Sequence, residues 1–492
     1  MLQVLNIALR RFTPKPICLA IALSALLSTS VLPAYGADVD LPALGDSSAG
    51  LISPQQEYEL GQKVLKLYRS QMPTSSDPII YSYLEQLITS IAAHSDLPDK
   101  RFDLIVIDNP SINAFAVPGR IIGVHTGIFL ETEKEDQLAS ILAHELAHLS
   151  QRHYARQVQA QQSSSLPTMA GLLAGIILAA AGSGDAGMAA IMATQAAALD
   201  SRLRFSRLHE QEADRVGIQT LAAAGRDPNA AADMFEVMLR DARFYRKPPE
   251  FLSTHPVTES RIADARARAM QFPQREYPDS VDFHLIAARA KLHHSESIQH
   301  AIKAFQSEVD GQSISQEASR YGLVLALTEA GKTQQAREEL DNLLAKRPEK
   351  LIYTLASADV DAKEEDYKSA LNKLNKLLKL YPSSHAVNIQ FAETLMSAKE
   401  YELCEQLLVR YSRIRSDNDY VWYLLAEVHG LVGNIIEVHR ARAEYFILNG
   451  IYQRAERQLQ NAYRLVDNNT PTAALIEQRL IDVKQLQKEA KL

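Results

Sequence analysis

Asp136-Gln-Leu-Ala-Ser-Ile-Leu-Ala-His-Glu-Leu-Ala-His-Leu149 is the stretch that decides how the rest of the 492-residue chain is read. Residues four apart on a helix share a face, so His144 and His148 can offer two imidazole nitrogens to one metal ion. Glu145 then stands beside the position left open for water, which is the geometry of a zinc hydrolase. Leu138, Ile141, Leu142, Leu146 and Leu149 form an apolar stripe, predicting a helix buried along one side that holds its ligands rigidly. The bland alternative is a core helix with two hydrogen-bonded histidines.

A catalytic zinc takes three protein ligands, so one must come from elsewhere in the chain. The metzincin arrangement is excluded, because Gln151 and Tyr154 occupy the places of its Gly and His. His153 lies off the His144/His148 face and is expected at the surface. In Leu208-His-Glu-Gln-Glu-Ala-Asp-Arg-Val-Gly217, Glu210 and Asp214 are four apart and share a helix face, while Glu212 points away. Glu210 is therefore the expected third ligand, and Asp214, one turn on, is placed to orient a ligating imidazole. A charged, solvated helix face is the alternative for this segment.

These residues resemble the M48 metallopeptidases, within them the periplasmic branch fused to tetratricopeptide repeats. The resemblance rests on Asn113-Ala-Phe-Ala-Val-Pro-Gly119, His144-Glu-Leu-Ala-His148, Glu210-Gln-Glu-Ala-Asp214, and Thr254-His-Pro256 followed by Arg261. It spans roughly residues 50 to 270 and continues through the repeats. Arg120 departs from it, standing where many members carry a second Gly. The resemblance implies a mainly α protein: a gluzincin-type α+β catalytic domain with a small sheet, then an α-solenoid. It also implies one Zn2+ per chain, and puts Thr254-His-Pro256 near the active site. A residue before proline is pushed toward extended backbone, so His255 is expected on a loop, free to move. It would assist the transition state, act as a fourth ligand that gates the enzyme, or play a plain structural role.

At the N-terminus, Arg10, Arg11 and Lys15 precede the apolar run Ile17 to Leu32 and then Ala34-Tyr-Gly36. This reads as a signal peptide over residues 1–36, followed by a leader over 37–53. Its removal takes away three basic and no acidic residues, so 52 against 59 becomes 49 against 59. A mature net charge of −10 argues against nucleic acid as a partner. Only Cys404 then remains, which rules out an intramolecular disulfide.

The metallopeptidase domain is expected over residues 54–271. Phe102 to Asp108 and Arg120 to Thr126 read as strands. An extended substrate can pair with a strand beside the metal, a role expected for the segment from Ala114 through Phe115 and Ala116 to Ile121. His125 reads as structural. Gln157 to Gly184 carries no charge, and Met169 to Ala181 is strongly apolar yet shorter than a bilayer crossing needs. A helical hairpin or lid over the site is the preferred reading, with peripheral membrane contact as the rival.

Residues 272–279 read as a linker, and 280–492 as tetratricopeptide-like repeats. Ala336, Ala370 and Cys404 are spaced by 34 residues, as are Pro348 and Pro382, and Tyr367 and Tyr401. Such arrays present docking surfaces and contact mainly their own neighbours, so this one is expected to be removable as a unit. The whole points to a periplasmic zinc endopeptidase. The resemblance implies misfolded or stalled outer-membrane β-barrel proteins as clients, with the repeats docking at the outer-membrane assembly machinery. The competing readings are a chaperone or scaffold with a largely latent metal site, and a membrane-attached protease.

Overall fold

The computed structural model describes residues 52–160, 207–242, 250–467 and 470–490. The signal peptide, nearly all of the leader and the apolar segment after Ala160 lie outside them. No helix among the described residues is long and apolar enough to cross a membrane.

Helix α1 (Pro54–Gln71) opens on a capping box between Ser53 and Gln56. In α2 (Pro78–Ala92), the Asp77 carboxylate accepts the N–H groups of Ile79 and Ile80, with proline in the first turn. A three-stranded sheet follows: β1 (Asp103–Ile107), β2 (Ala114–Val117) and β3 (Ile121–His125), in the order β1-β3-β2. Strand β3 is central, parallel to β1 and antiparallel to β2, and all five of its residues are buried. That leaves β2 with one edge unpaired by strand among the described residues.

The β2–β3 turn places Gly119 and Arg120 in the left-handed region, at φ 84° and 71°. Gly119 is obligatory, since a Cβ there would stand 2.6 Å from the Glu57 carbonyl oxygen of α1. Arg120 tolerates the same conformation while its guanidinium pairs with Asp99 and lies 5.1 Å from the centre of the Tyr58 ring.

After the short α3 (Ile128–Glu131) comes α4 (Glu135–Ser150), which carries the histidine motif. It is buried on every side from Gln137 to His148, where the apolar stripe predicted one buried face. The next helices are α5 (His153–Ala160), α6 (Arg207–Ala223), α7 (Ala230–Ala242), α8 (Glu250–Thr254) and α9 (Glu259–Ala269).

Among the described residues, twelve further helices, α10 to α21, run from Val281 to Glu489 in successive pairs. Ala336, Ala370 and Cys404 are fully buried where the helices of a pair meet. The 34-residue period is also written in the backbone. Gly331, Glu365, Lys399 and Gly433 all adopt positive φ at the end of the first helix of a pair, satisfying the last carbonyls in a left-handed cap.

The array does not stand apart from the catalytic part. One continuous core runs from Leu84 and Ile88 of α2 through Leu142 of α4 to Phe283, Tyr321, Tyr353 and Val387 of the repeats. Arg289 from α10 (Val281–His293) donates to Asp77 at 2.7 Å, and Arg415 donates to the Tyr81 hydroxyl at 2.9 Å. The expectation that the repeats form a removable unit is thus corrected, because the two parts share apolar side chains that truncation would expose to water.

Candidate active site

Helix α6 crosses α4 at close range because residue 217 is glycine, where a Cβ would lie 3.2 Å from the His144 backbone nitrogen. This crossing sets the Glu210 and Asp214 carboxylates against the two histidines of α4. His144 Nε2 lies 3.0 Å from His148 Nε2 and 3.6 Å from Glu210 Oε2, and His148 Nε2 lies 3.5 Å from Glu210 Oε1. His255, just beyond α8, adds Nδ1 at 3.4 Å from His144 Nε2 and 3.1 Å from Glu210 Oε1. All four residues are buried.

Four donor atoms 2.0–2.1 Å from a tetrahedral zinc would sit about 3.4 Å from one another. The 3.0 to 3.6 Å separations therefore match the edges of such a tetrahedron. The donor set of imidazoles and one carboxylate is the kind zinc takes. The residues fit the ion.

The charges agree with this. Burial opposes charge on His144, yet Asp214 and Glu210 outweigh it and push the imidazole up to about 9. Burial and then the His144 charge hold His148 well below the ordinary histidine range. Burial disfavours the Glu210 carboxylate, but His255 and His144 hold it well below the usual range. A pocket of carboxylates that draws a proton onto an imidazole also attracts a cation.

Glu145 faces the same space and is 1% exposed. Its Oε2 accepts the Ala116 N–H of β2 at 2.9 Å, and Oε1 lies 3.5 Å from His255 Nε2, with no hydrogen-bond partner among the described residues. Burial raises its pKa, making the carboxylate a stronger base.

Asp214 Oδ1 stands 3.0 Å from His144 Nδ1. Behind it, Arg261 of α9 donates from Nε to Asp214 Oδ2 and from Nη2 to Oδ1, both at 2.7 Å, and its Nη1 lies 2.9 Å from Glu210 Oε2. Thr258 caps α9 by accepting the Arg261 N–H, fixing the helix start that aims this guanidinium. The sequence marked Arg261 only through family resemblance, since nothing local ties it to carboxylates 47 and more residues earlier.

Three placements depart from the sequence reading. His153, expected at the surface, is wholly buried, its Nδ1 2.9 Å from His148 Nδ1, because Arg152 at φ 49° turns α5 back beneath α4. His255 stands just past the end of α8 as expected, but it is packed there instead of projecting, 2% exposed with its ring stacked on Phe251 at 4.8 Å. Ile121 cannot receive a substrate strand, because it opens the central strand and is paired to Asp103 on one side and Val117 on the other.

Within β2, Ala116 faces the unpaired edge, and by alternation so does Ala114. Phe115 turns its backbone toward Gly123 of β3, with its ring on Tyr68 at 4.9 Å. A residue other than Gly at 123 would meet that ring, the added Cβ falling 2.1 Å from Phe115 Cζ. His125 stays outside the cluster, its Nδ1 3.2 Å from Ser111 Oγ, and burial pushes it down to about 4.

Known proteins agree with this geometry. Residues 80–269 match the family described as peptidase family M48, and residues 362–428 match a tetratricopeptide repeat. The chain is 33% identical over 474 residues to the beta-barrel assembly-enhancing protease of Escherichia coli K12, covering 96% of this chain and 97% of that protein. It is 31% identical over 475 residues to the putative beta-barrel assembly-enhancing protease of Vibrio cholerae, with the same two coverages. Over 201 residues it is 33% identical to the mitochondrial metalloendopeptidase OMA1 of Schizosaccharomyces pombe, covering 41% of this chain and 56% of that one. The chain belongs to peptidase family M48, as a zinc metalloprotease joined to tetratricopeptide repeats.

Proposed function

We propose that His144, His148 and Glu210 hold the zinc, that Glu145 is the general base, and that Asp214 fixes the tautomer of His144. The observation that carries this reading is the near-tetrahedral spacing of the donor atoms with Glu145 at their side. When bound, zinc polarises the scissile carbonyl and makes water acidic enough to attack near neutral pH. Glu145 takes the proton of the attacking water and hands it to the leaving amine nitrogen. The free edge of β2 aligns an extended substrate through Ala114 and Ala116, a mode that needs little side-chain specificity. A strand entering there competes with Glu145 for the Ala116 N–H, so docking also releases the base.

His255 Nδ1 stands where a fourth donor would, and that position supports a gate. A ring there occupies the place water needs and holds the protease latent until it swings away.

The names of the full-length relatives support an envelope role. In this reading the mature chain works in the periplasm on misfolded or stalled outer-membrane β-barrel proteins, and the repeats dock it at the machinery that assembles them. The test is digestion of an unfolded outer-membrane β-barrel protein beside the same protein folded in detergent, with zinc measured in wild type and Glu210→Gln. The expected results are cleavage of the unfolded client alone and loss of zinc from the variant, since a neutral amide is a poorer ligand. Full zinc in the variant would move the third ligand elsewhere, and equal cleavage of both client forms would remove quality control from the reading.

A further inference from the structure

We propose that Glu212, His153 and His148 form a hydrogen-bonded chain that sets the tautomer and the aim of His148, which makes His153 a positioning residue for the metal site. The proposal rests on reading His148 as a ligand. His148 Nε2 faces the donor cluster, 3.0 Å from His144 Nε2 and 3.5 Å from Glu210 Oε1. A ligand imidazole gives up the lone pair of that nitrogen and keeps its proton on the other, so the His148 proton sits on Nδ1.

His148 Nδ1 is 2.9 Å from His153 Nδ1. Two ring nitrogens at that distance need one donor and one acceptor. His148 donates, His153 Nδ1 accepts, and the His153 proton is therefore on Nε2. That nitrogen lies 3.2 Å from Glu212 Oε2, which accepts it. The same oxygen accepts from Arg156 Nη1 at 2.8 Å, so the far end of the chain is anchored.

The surroundings hold His153 to this task. Its side chain has no solvent exposure, and its ring stacks on that of His209 at 4.5 Å and 15°. Arg152 supplies the bend that carries the chain back under His148. Arg152 adopts φ 49°, a left-handed backbone that a residue with a side chain takes only under strain, and such strain gathers at functional sites. Arg152 is held there by donating from Nη2 to the Ile52 carbonyl at 2.8 Å.

The two ligand imidazoles of α4 are thus buttressed in parallel. His144 is backed directly by Asp214, whose carboxylate grips Arg261. His148 is backed through His153 by Glu212, whose carboxylate grips Arg156. One helix, α6, supplies all three carboxylates: Glu210 and Asp214 from the face toward the α4 histidines, and Glu212 from another face, where it meets His153 and Arg156.

The test uses the full chain and reads zinc affinity by competition with a chromogenic chelator, with the melting temperature of the metal-free protein as a control. His153→Leu should weaken zinc binding about 10- to 100-fold, the usual effect of losing such a partner. His153→Gln should recover most of that loss, because a carboxamide can accept from His148 Nδ1 and donate to Glu212. Wild-type affinity in His153→Leu, or His153→Gln as weak as His153→Leu, would overturn the chain. Should His153→Leu fail to fold, Glu212→Leu decides at a side chain that is 27% exposed. Weaker zinc binding there supports the chain, and unchanged binding refutes it. His148→Ala in the same assay separates the two levels: retention of wild-type affinity would overturn the ligand reading and the chain with it, whereas its loss beside an unaffected His153→Leu overturns the chain alone.

Discussion

Replacing Glu145 by Gln removes a proton acceptor and little else. The two side chains have the same shape, and the Gln carbonyl can take over the Ala116 N–H that Glu145 Oε2 accepts at 2.9 Å. Strand β2 should therefore stay where it is, and the donor atoms of His144, His148, Glu210 and His255 are untouched. What is lost is general-base catalysis, typically a factor of about 10² to 10⁴, or about 3–5 kcal/mol of transition-state stabilisation. The assay is cleavage of a fluorogenic peptide at matched zinc content, run also in a His255→Ala background so that restraint is not mistaken for loss. We expect kcat to fall by about 10² or more, with KM changed by less than about threefold. A kcat within tenfold of wild type would refute the role of Glu145. A second readout follows from burial, which raises the Glu145 pKa in the fold. The fold therefore favours the protonated acid, and that contribution is lost as pH rises above the ordinary carboxylate range. The metal-free Glu145→Gln protein should melt higher than metal-free wild type at pH 7.5 and level with it near pH 4.

If His255 holds the enzyme latent, His255→Ala should raise the rate of cleavage at saturating zinc, whereas a fall in rate would assign the imidazole to transition-state support and end the latency reading. Glu365 and Lys399 sit in left-handed caps where the equivalent residues are Gly331 and Gly433. Each substitution to Gly should raise stability by about 0.5–1 kcal/mol in urea unfolding, and a loss would show that their side chains outweigh the strain. Half-buried Asp359 accepts from Gln390 Nε2 at 2.6 Å, and burial pushes its carboxyl up to about 7. The protonated form is thus favoured by the fold, and its contribution is complete below pH 4 and lost as pH rises through about 7. Asp359→Asn should therefore be neutral at pH 4 and stabilise by roughly 1–2 kcal/mol at pH 8, discounted for remaining solvent access; equal melting curves at pH 8 would contradict this.

The parts of the site that could be read from the chain alone are those set by helix geometry over one turn. His144 with His148, and Glu210 with Asp214, share faces because 3.6 residues make a turn, whatever surrounds the helix. The 34-residue spacing of Ala336, Ala370 and Cys404 likewise marks a repeat whose helices meet at small residues. Everything that depended on how elements cross was closed to that reading. Arg261 reaches Asp214 only because α9 packs beside α6, and Gly217 matters only because α6 crosses α4 at the His144 backbone. Ala116 and Ile121 look equally strand-like, yet the order β1-β3-β2 leaves the first on an edge that no described strand pairs and pairs the second on both sides. His153 escapes the sequence for the same reason: five residues past His148 is the wrong face of a continuous helix, but a left-handed Arg152 ends that helix and brings the ring back underneath. Local periodicity is a property of the backbone and survives in any context, whereas a contact between distant segments exists only once the apolar core has chosen which of them lie side by side.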